Sequence, residues 1–148
     1  MKLNIFLTIL IALTNVSFSS GLSIENRNLL LQLDSNFGWR KIEVLNDAQQ
    51  IKLQPGVVGA EANVALRFFG RKIGPDPASI NSAQIGGIAA NNASGMCCGI
   101  DKNSYKTLQN IRIILNDGTI LDTNDEQSKK TFLNSKSELV EQLKNLVK

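Results

Sequence analysis

Histidine is absent from this 148-residue chain. That absence excludes Ser-His-Asp chemistry, Cys-His chemistry and His-ligated metal sites within it. Cysteine is nearly absent: Cys97 and Cys98 stand side by side and are the only two. Two adjacent thiols cannot make a zinc site and are no disulfide framework. A bridge between neighbours needs a strained ring, so they read as thiols buried in a tight turn rather than as a redox pair. Aromatic residues make up 5% of the chain and do not alternate with basic runs, so no stacking platform for nucleic acid is present. Lys+Arg exceeds Asp+Glu by 16 to 13, an imbalance too mild to imply a nucleic-acid partner. The apolar run Ile5 to Leu13, broken by Thr8, is too short to span a bilayer. The length suffices for one domain with a real core.

Residues 1–20 read first as a targeting segment. Lys2 gives a small positive start, an apolar core follows, and Ser19-Ser20-Gly21 could carry a cleavage site. Such a leader implies export. The same run also fits a buried strand or helix of the domain, or an eroded start of a longer gene. The domain proper is then residues 21–148. Asn15-Val16-Ser17 and Asn92-Ala93-Ser94 match the glycosylation sequon, a match short enough to arise by chance.

Leu29 to Leu33 is an apolar run that suggests a strand. Trp39 to Leu45 and Gln50 to Leu53 alternate about the turn signal Asn46-Asp47, which predicts a hairpin. Pro55-Gly56 ends it. Gly59 to Phe69 suits a helix, with Ala60, Val64 and Phe68 at spacing four and Gly70 as a C-terminal cap. Arg71 and Lys72 after it read as solvated surface. Leu108 to Leu115 places Ile111 and Ile113 on one face and Arg112 on the other. Asn116-Asp117-Gly118 is a hairpin turn, with Thr119 to Leu121 returning as the partner strand. Asn124 or Asp125 can cap a terminal helix, and the capping-box spacing Ser135 to Glu138 can restart it. Leu139, Val140, Leu143, Leu146 and Val147 form a helical stripe facing the core or a partner. The fold class is α+β: antiparallel strands at both ends of a Gly-rich region, with flanking helices.

That Gly-rich region, GPDPASINSAQIGGIAANNASGMCCG from Gly74, has Asp76 as its only ionisable group besides the thiols. Gly, Ala, Ser and Asn fill little of a core. They offer backbone N–H groups, hydroxyls and amides instead. Gly86-Gly87 admits a ligand close to the main chain, because no Cβ intervenes. Successive N–H groups in such turns can hold an anion, and a nearby helix start adds donors. The stretch reads as a wall for a phosphate-bearing cofactor. The alternative is a buried small-residue turn with no ligand.

Gln54-Pro55-Gly56, GRKIGPDPAS, IGGIAANNASGMCCG, NSY and LNDGTILDT, in this order and spacing, resemble the FAD-linked oxidases of the vanillyl-alcohol oxidase type. These carry a PCMH-type FAD-binding domain, and the D-lactate dehydrogenase or glycolate oxidase-like branch is the nearest group. The resemblance runs from about Leu30 to Val147. It implies FAD as cofactor and an antiparallel sheet with flanking helices like the second subdomain of that domain. It places Pro77, Ala78 and Ser79 along the flavin and a hydroxyl from Ser82 beside them. Gly86 and Gly87 would make backbone contact with the pyrophosphate, and Asn92, Ser94 and Gly95 would continue the wall. Ile113 would pack near the flavin or adenine through its backbone. FAD's phosphates want N–H donors and its rings want flat walls, so no basic side chain is required.

The family also has a Gly-rich phosphate loop in the first subdomain, where this chain holds Val16-Ser17-Phe18-Ser19-Ser20-Gly21-Leu22-Ser23. Its substrate domain, with the histidines used on the hydroxy acid, has no counterpart here, so no catalytic residue is assigned. The resemblance thus implies a fragment of a flavin-dependent 2-hydroxy-acid dehydrogenase. A separately encoded remainder would be its partner, and a quinone, cytochrome or iron–sulfur protein would take the electrons. The competing expectations are a non-enzymatic remnant, exported or not, that no longer binds flavin, and a small exported binding module.

Overall fold

In the computed structural model, residues 4–10, 39–96, 99–115 and 117–147 are described. The expected strand at Leu29 to Leu33, the segment 16–23, the first sequon and both cysteines lie outside them.

Both predicted hairpins form. Strands β2 (Ile42–Leu45) and β3 (Gln50–Leu53) pair antiparallel, with Val44 opposite Ile51. On β3, Ile51 and Leu53 are fully buried while Lys52 is exposed, the alternation of a half-buried strand. Strands β4 (Leu108–Ile114) and β5 (Ile120–Asp122) make the second antiparallel pair, with Ile113 opposite Leu121. The turn closes through Leu115 N–H on Thr119 O and Gly118 N–H on Leu115 O, both 2.9 Å. The return strand thus starts one residue later than the turn signal suggested.

A further strand joins the hairpins. β1 (Asn4–Leu10) lies in the stretch that also reads as a leader. It pairs parallel with β3 on one side and β4 on the other, giving one five-stranded sheet in the order β2-β3-β1-β4-β5. Leu7 sits between Leu53 and Ile111 in register. Strands with parallel neighbours on both sides read as continuous apolar runs without alternation, which is why this one is also compatible with a leader.

Helix α1 spans Gly59–Arg67. Its buried residues are Gly59, Ala62 and Leu66, whereas Val64 is 59% and Phe68 93% exposed. The helix is where the sequence placed it, but the Ala60/Val64/Phe68 stripe faces away from the core. Small residues at Gly59 and Ala62 permit close approach, and Leu66 fills the contact. Gly70 has φ +63 and follows the helix as the predicted cap, with Arg71 N–H returning to Leu66 O at 3.3 Å. The core consists of Ala48, Ile51, Leu53, Val57, Ala62, Leu66, Ile73, Ile85, Ile88 and Ala89.

Helices α2 (Ile85–Ala90) and α3 (Ser104–Thr107) follow the Gly-rich stretch. At the C-terminal side, α4 (Glu126–Ser135) is capped by Asp125, whose side chain accepts from Gln127 N–H at 3.0 Å. α5 (Ser137–Leu146) restarts after Lys136 rather than through a Ser135 cap. Ser135 Oγ instead donates back to Phe132 O at 3.3 Å. No residue of α4 or α5 is buried. The expected stripe therefore does not face the core; Leu143 is 51%, Leu146 82% and Val147 86% exposed.

Lys136 ties this helical pair to the β4–β5 turn through an ion pair with Asp117. Burial pushes the Asp117 carboxyl up, but the Lys136 and Thr119 hydrogen bonds outweigh it and hold it down at about 2, against 3.8 ordinarily. Because the folded pKa is depressed, this stabilisation is complete above the unfolded value and is lost as pH falls from 3.8 towards about 2. Replacing Lys136 with Met should raise the Asp117 carboxyl pKa towards its ordinary value, with the Thr119 hydrogen bonds still holding it down in part, read by carboxyl NMR titration. An unchanged titration curve would show that the pair does not form in solution.

Candidate functional site

The floor of the Gly-rich region is a short two-stranded clip. Val58 and Gln84 form an antiparallel bridge, and each stands in extended conformation at the N-cap of a helix. Ile85 N–H donates to Val57 O at 2.8 Å, Gly86 N–H to Pro55 O at 2.9 Å and Gly59 N–H to Ala83 O at 3.0 Å. The starts of α1 and α2 are thereby held side by side. The α1 start spends its donors internally: Ala60 N–H goes to Ile80 O, and Glu61 and Ala62 N–H go to Val58 O.

The two central glycines differ. A Cβ on Gly86 would lie 2.9 Å from Pro55 Cβ, so Gly86 is a close-packing position whose N–H is already taken. A Cβ on Gly87 would meet nothing within 4 Å, and the residue is exposed. In the first turn of α2, Ile85, Gly86 and Ile88 N–H all have backbone acceptors. No acceptor among the described residues takes the Gly87 N–H. Gly86 is sealed by Pro55.

The other expected residues fall into groups. Pro77 is half-buried and its carbonyl accepts from Ile80 N–H at 2.9 Å. Ala78, Ser79 and Ser82 are exposed on one turn, where Ser82 N–H and Ala83 N–H both donate to Ser79 O. Ser94 O accepts from Asp76 N–H at 3.0 Å, and Gly95 lies directly on the Asp76 backbone. Pro77, Ser94 and Gly95 are therefore brought together around Asp76. Asn92, at φ +44 just past α2, uses its side-chain oxygen to accept from Tyr105 N–H at 3.1 Å. Ile113 stands apart on β4, with β1 between its strand and β3. Ile111, not Ile113, packs on the core.

Two contributors stand in the family motif but have no site role in the sequence reading. Pro55 supplies both the wall and the acceptor that fix Gly86. The Asn103-Ser104-Tyr105 segment fixes the far end. Asn103 caps α3 by accepting from Lys106 N–H at 3.0 Å. Ser104, only 4% exposed, places its hydroxyl 3.0 Å from Ile88 O and 2.9 Å from Ala93 O. Ser104→Ala removes that buried donor and should cost about 1–2 kcal/mol, read by urea unfolding. A change within experimental error would show that the hydroxyl does not hold the end of α2.

The open face offers one unspent backbone donor, two exposed serine hydroxyls and little side-chain bulk. That is chemistry for seating a phosphate or a flat ring. Among the described residues there is no cluster of His, Cys, Asp and Glu that could hold a metal ion, and no helix is long and apolar enough to cross a membrane.

The FAD binding domain family matches residues 6–124, a span that begins inside β1 and covers both hairpins and the Gly-rich region. The probable mitochondrial D-lactate dehydrogenase of Danio rerio is 31% identical over 112 residues, covering 73% of this chain and 22% of that protein. No solved structure matches. This chain thus spans about a fifth of its relative's length, and it belongs to the PCMH-type FAD-binding oxidase family.

Proposed function

We propose that this chain is the FAD-binding portion of a flavin-dependent 2-hydroxy-acid dehydrogenase acting on a D-lactate-like substrate. The observation that carries the reading is the exposed Gly87, with its unspent N–H and open space above it, inside a family-matching stretch. Pro77, Ala78, Ser79, Ser82, Asn92, Ser94 and Gly95 complete the wall in this reading, with Ile113 as an outlying member. Gly86 acts by letting Pro55 pack against α2, not by binding phosphate. FAD, when bound, supplies the redox chemistry; the chain's own residues bind and orient it. The substrate-binding part, with its acid–base groups, comes from polypeptide corresponding to the rest of the relative.

A second reading, a remnant that no longer holds flavin, is favoured by the small number of donors left open at the site. The two separate experimentally. The chain purified alone should retain flavin well below stoichiometry after gel filtration, and dye reduction with D-lactate and added FAD should stay at background. Adding the polypeptide that completes the domain should restore retention, and Gly87→Val should abolish it while leaving the far-ultraviolet circular dichroism unchanged. Failure of the completed assembly to retain flavin would assign the chain to the remnant class.

A further inference from the structure

The β4–β5 turn carries chemistry that the flavin site does not use. Asp117-Gly118 is the one Asp-Gly step in the sequence, and there is no Asn-Gly. Glycine leaves the backbone nitrogen unscreened by a side chain, so such a step can close on itself. The Gly118 nitrogen bonds to Asp117 Cγ and loses its proton, the carboxyl oxygen leaves in water, and a five-membered succinimide forms. Water then opens the ring at the Asp117 main-chain carbonyl, and the chain runs on through Cγ as an isoaspartyl link. The water lost is regained, so the product has the mass of the parent. Closure needs the neutral carboxyl, since a carboxylate offers the nitrogen no leaving group. In the folded chain both reacting groups are engaged. Gly118 N–H donates to Leu115 O at 2.9 Å. Asp117 Oδ1 accepts from Thr119 N–H at 2.9 Å, and Oδ2 pairs with Lys136 Nζ. Lys136 is the charged group that lowers this carboxyl, and Thr119 supplies further hydrogen bonds. It stands at the joint between α4 and α5. The Asp117 side chain is 44% exposed, so water reaches it.

We infer that Asp117-Gly118 is a latent isoaspartyl modification site, held closed by Lys136 for as long as α4 and α5 stay against the turn. With the carboxyl at about 2 instead of 3.8, its neutral fraction near neutral pH falls roughly fiftyfold. Release of Lys136 restores much of that fraction. The product adds one carbon to the main chain between Leu115 and Thr119, whose 2.9 Å hydrogen bond leads into β5. Leu121 then loses its place opposite Ile113. The link also presents a free α-carboxylate, the group that an isoaspartyl-specific methyltransferase recognises. This site is independent of the flavin reading.

The test is to age the full chain at neutral pH, folded and in urea. Isoaspartate is counted by enzymatic transfer of a labelled methyl group and placed by tandem mass spectrometry. The folded parent should form it at residue 117 at least about tenfold more slowly than the same chain in urea. Lys136→Met and Lys136→Gln, shown by circular dichroism to be folded, should each age about tenfold faster than the folded parent. Lys136→Arg keeps the charge and should keep the protection. In urea all four chains should age alike, because the contact with Lys136 is gone. A folded Met or Gln variant that ages no faster than the parent would overturn the proposal. So would equal ageing of the parent folded and in urea, or isoaspartate confined to other residues.

Discussion

Gly95→Ala should unfold the domain or leave it barely folded. The Cβ would fall 1.8 Å from Asp76 O and 2.3 Å from Asp76 C, both backbone atoms that no rotamer change can move. The residue also has φ +152, a conformation that side-chain-bearing residues rarely adopt. Relief requires parting the segments joined by Asp76 N–H and Ser94 O, with buried Pro75 just before Asp76. A loss of about 4 kcal/mol or more is expected, at the extreme of single substitutions, against a typical total of about 5–15 kcal/mol. Trp39, the only tryptophan, reports the transition by fluorescence in urea. Gly87→Ala is the control. Its Cβ meets nothing and it lies in a helix, so it should stabilise by about 0.5–1 kcal/mol. Equal effects at the two positions would mean that the Gly-rich region is not packed as described.

Leu7→Pro should be as damaging, for a reason in the backbone. Leu7 is in the central strand, in register with Leu53 on one side and Ile111 on the other. Proline removes a ladder donor and is not tolerated between two neighbours. The two hairpins would then have no common strand. Loss of the cooperative urea transition is the expected result, with about 3 kcal/mol or more lost. Residues 4–10 would under this view stay in the working protein. If the protein recovered from cells began after residue 20 and still unfolded cooperatively, the leader reading would stand instead.

How far the sequence spoke depended on how local the signal was. The Asn46-Asp47 and Asp117-Gly118 turns sit between their own strands, so both hairpins were legible. The Gly70 cap and the Asp125 cap were legible for the same reason. The buried face of α1 was not. Gly59, Ala62 and Leu66 repeat at helical spacing as well as Ala60, Val64 and Phe68 do, and hydrophobicity favours the wrong set. What decides is whether the bodies of Ile80 and Ile88 have room beside Gly59, which is a tertiary fact. The family motif marked the Gly-rich wall as a unit. It gave Gly86 and Gly87 one role, whereas packing against Pro55 separates them. The terminal stripe on α5 was recognised, but what covers it is not a matter of periodicity.

The strand order has a bearing on how the chain reaches this state. The hairpins are formed from neighbours in sequence, but β1 pairs with segments 46 and about 103 residues downstream, from Gln50 and Leu108 onward. Among the described strands, β1 therefore waits longest for its partners. Until Ile114 has emerged, β1 has only β3 to hold it, and its other edge is an unpaired row of donors and acceptors. Long-range parallel pairing is slow because loop closure precedes any reward. Synthesis rate and chaperone supply should thus govern the yield of soluble chain more strongly than the native state's own stability does.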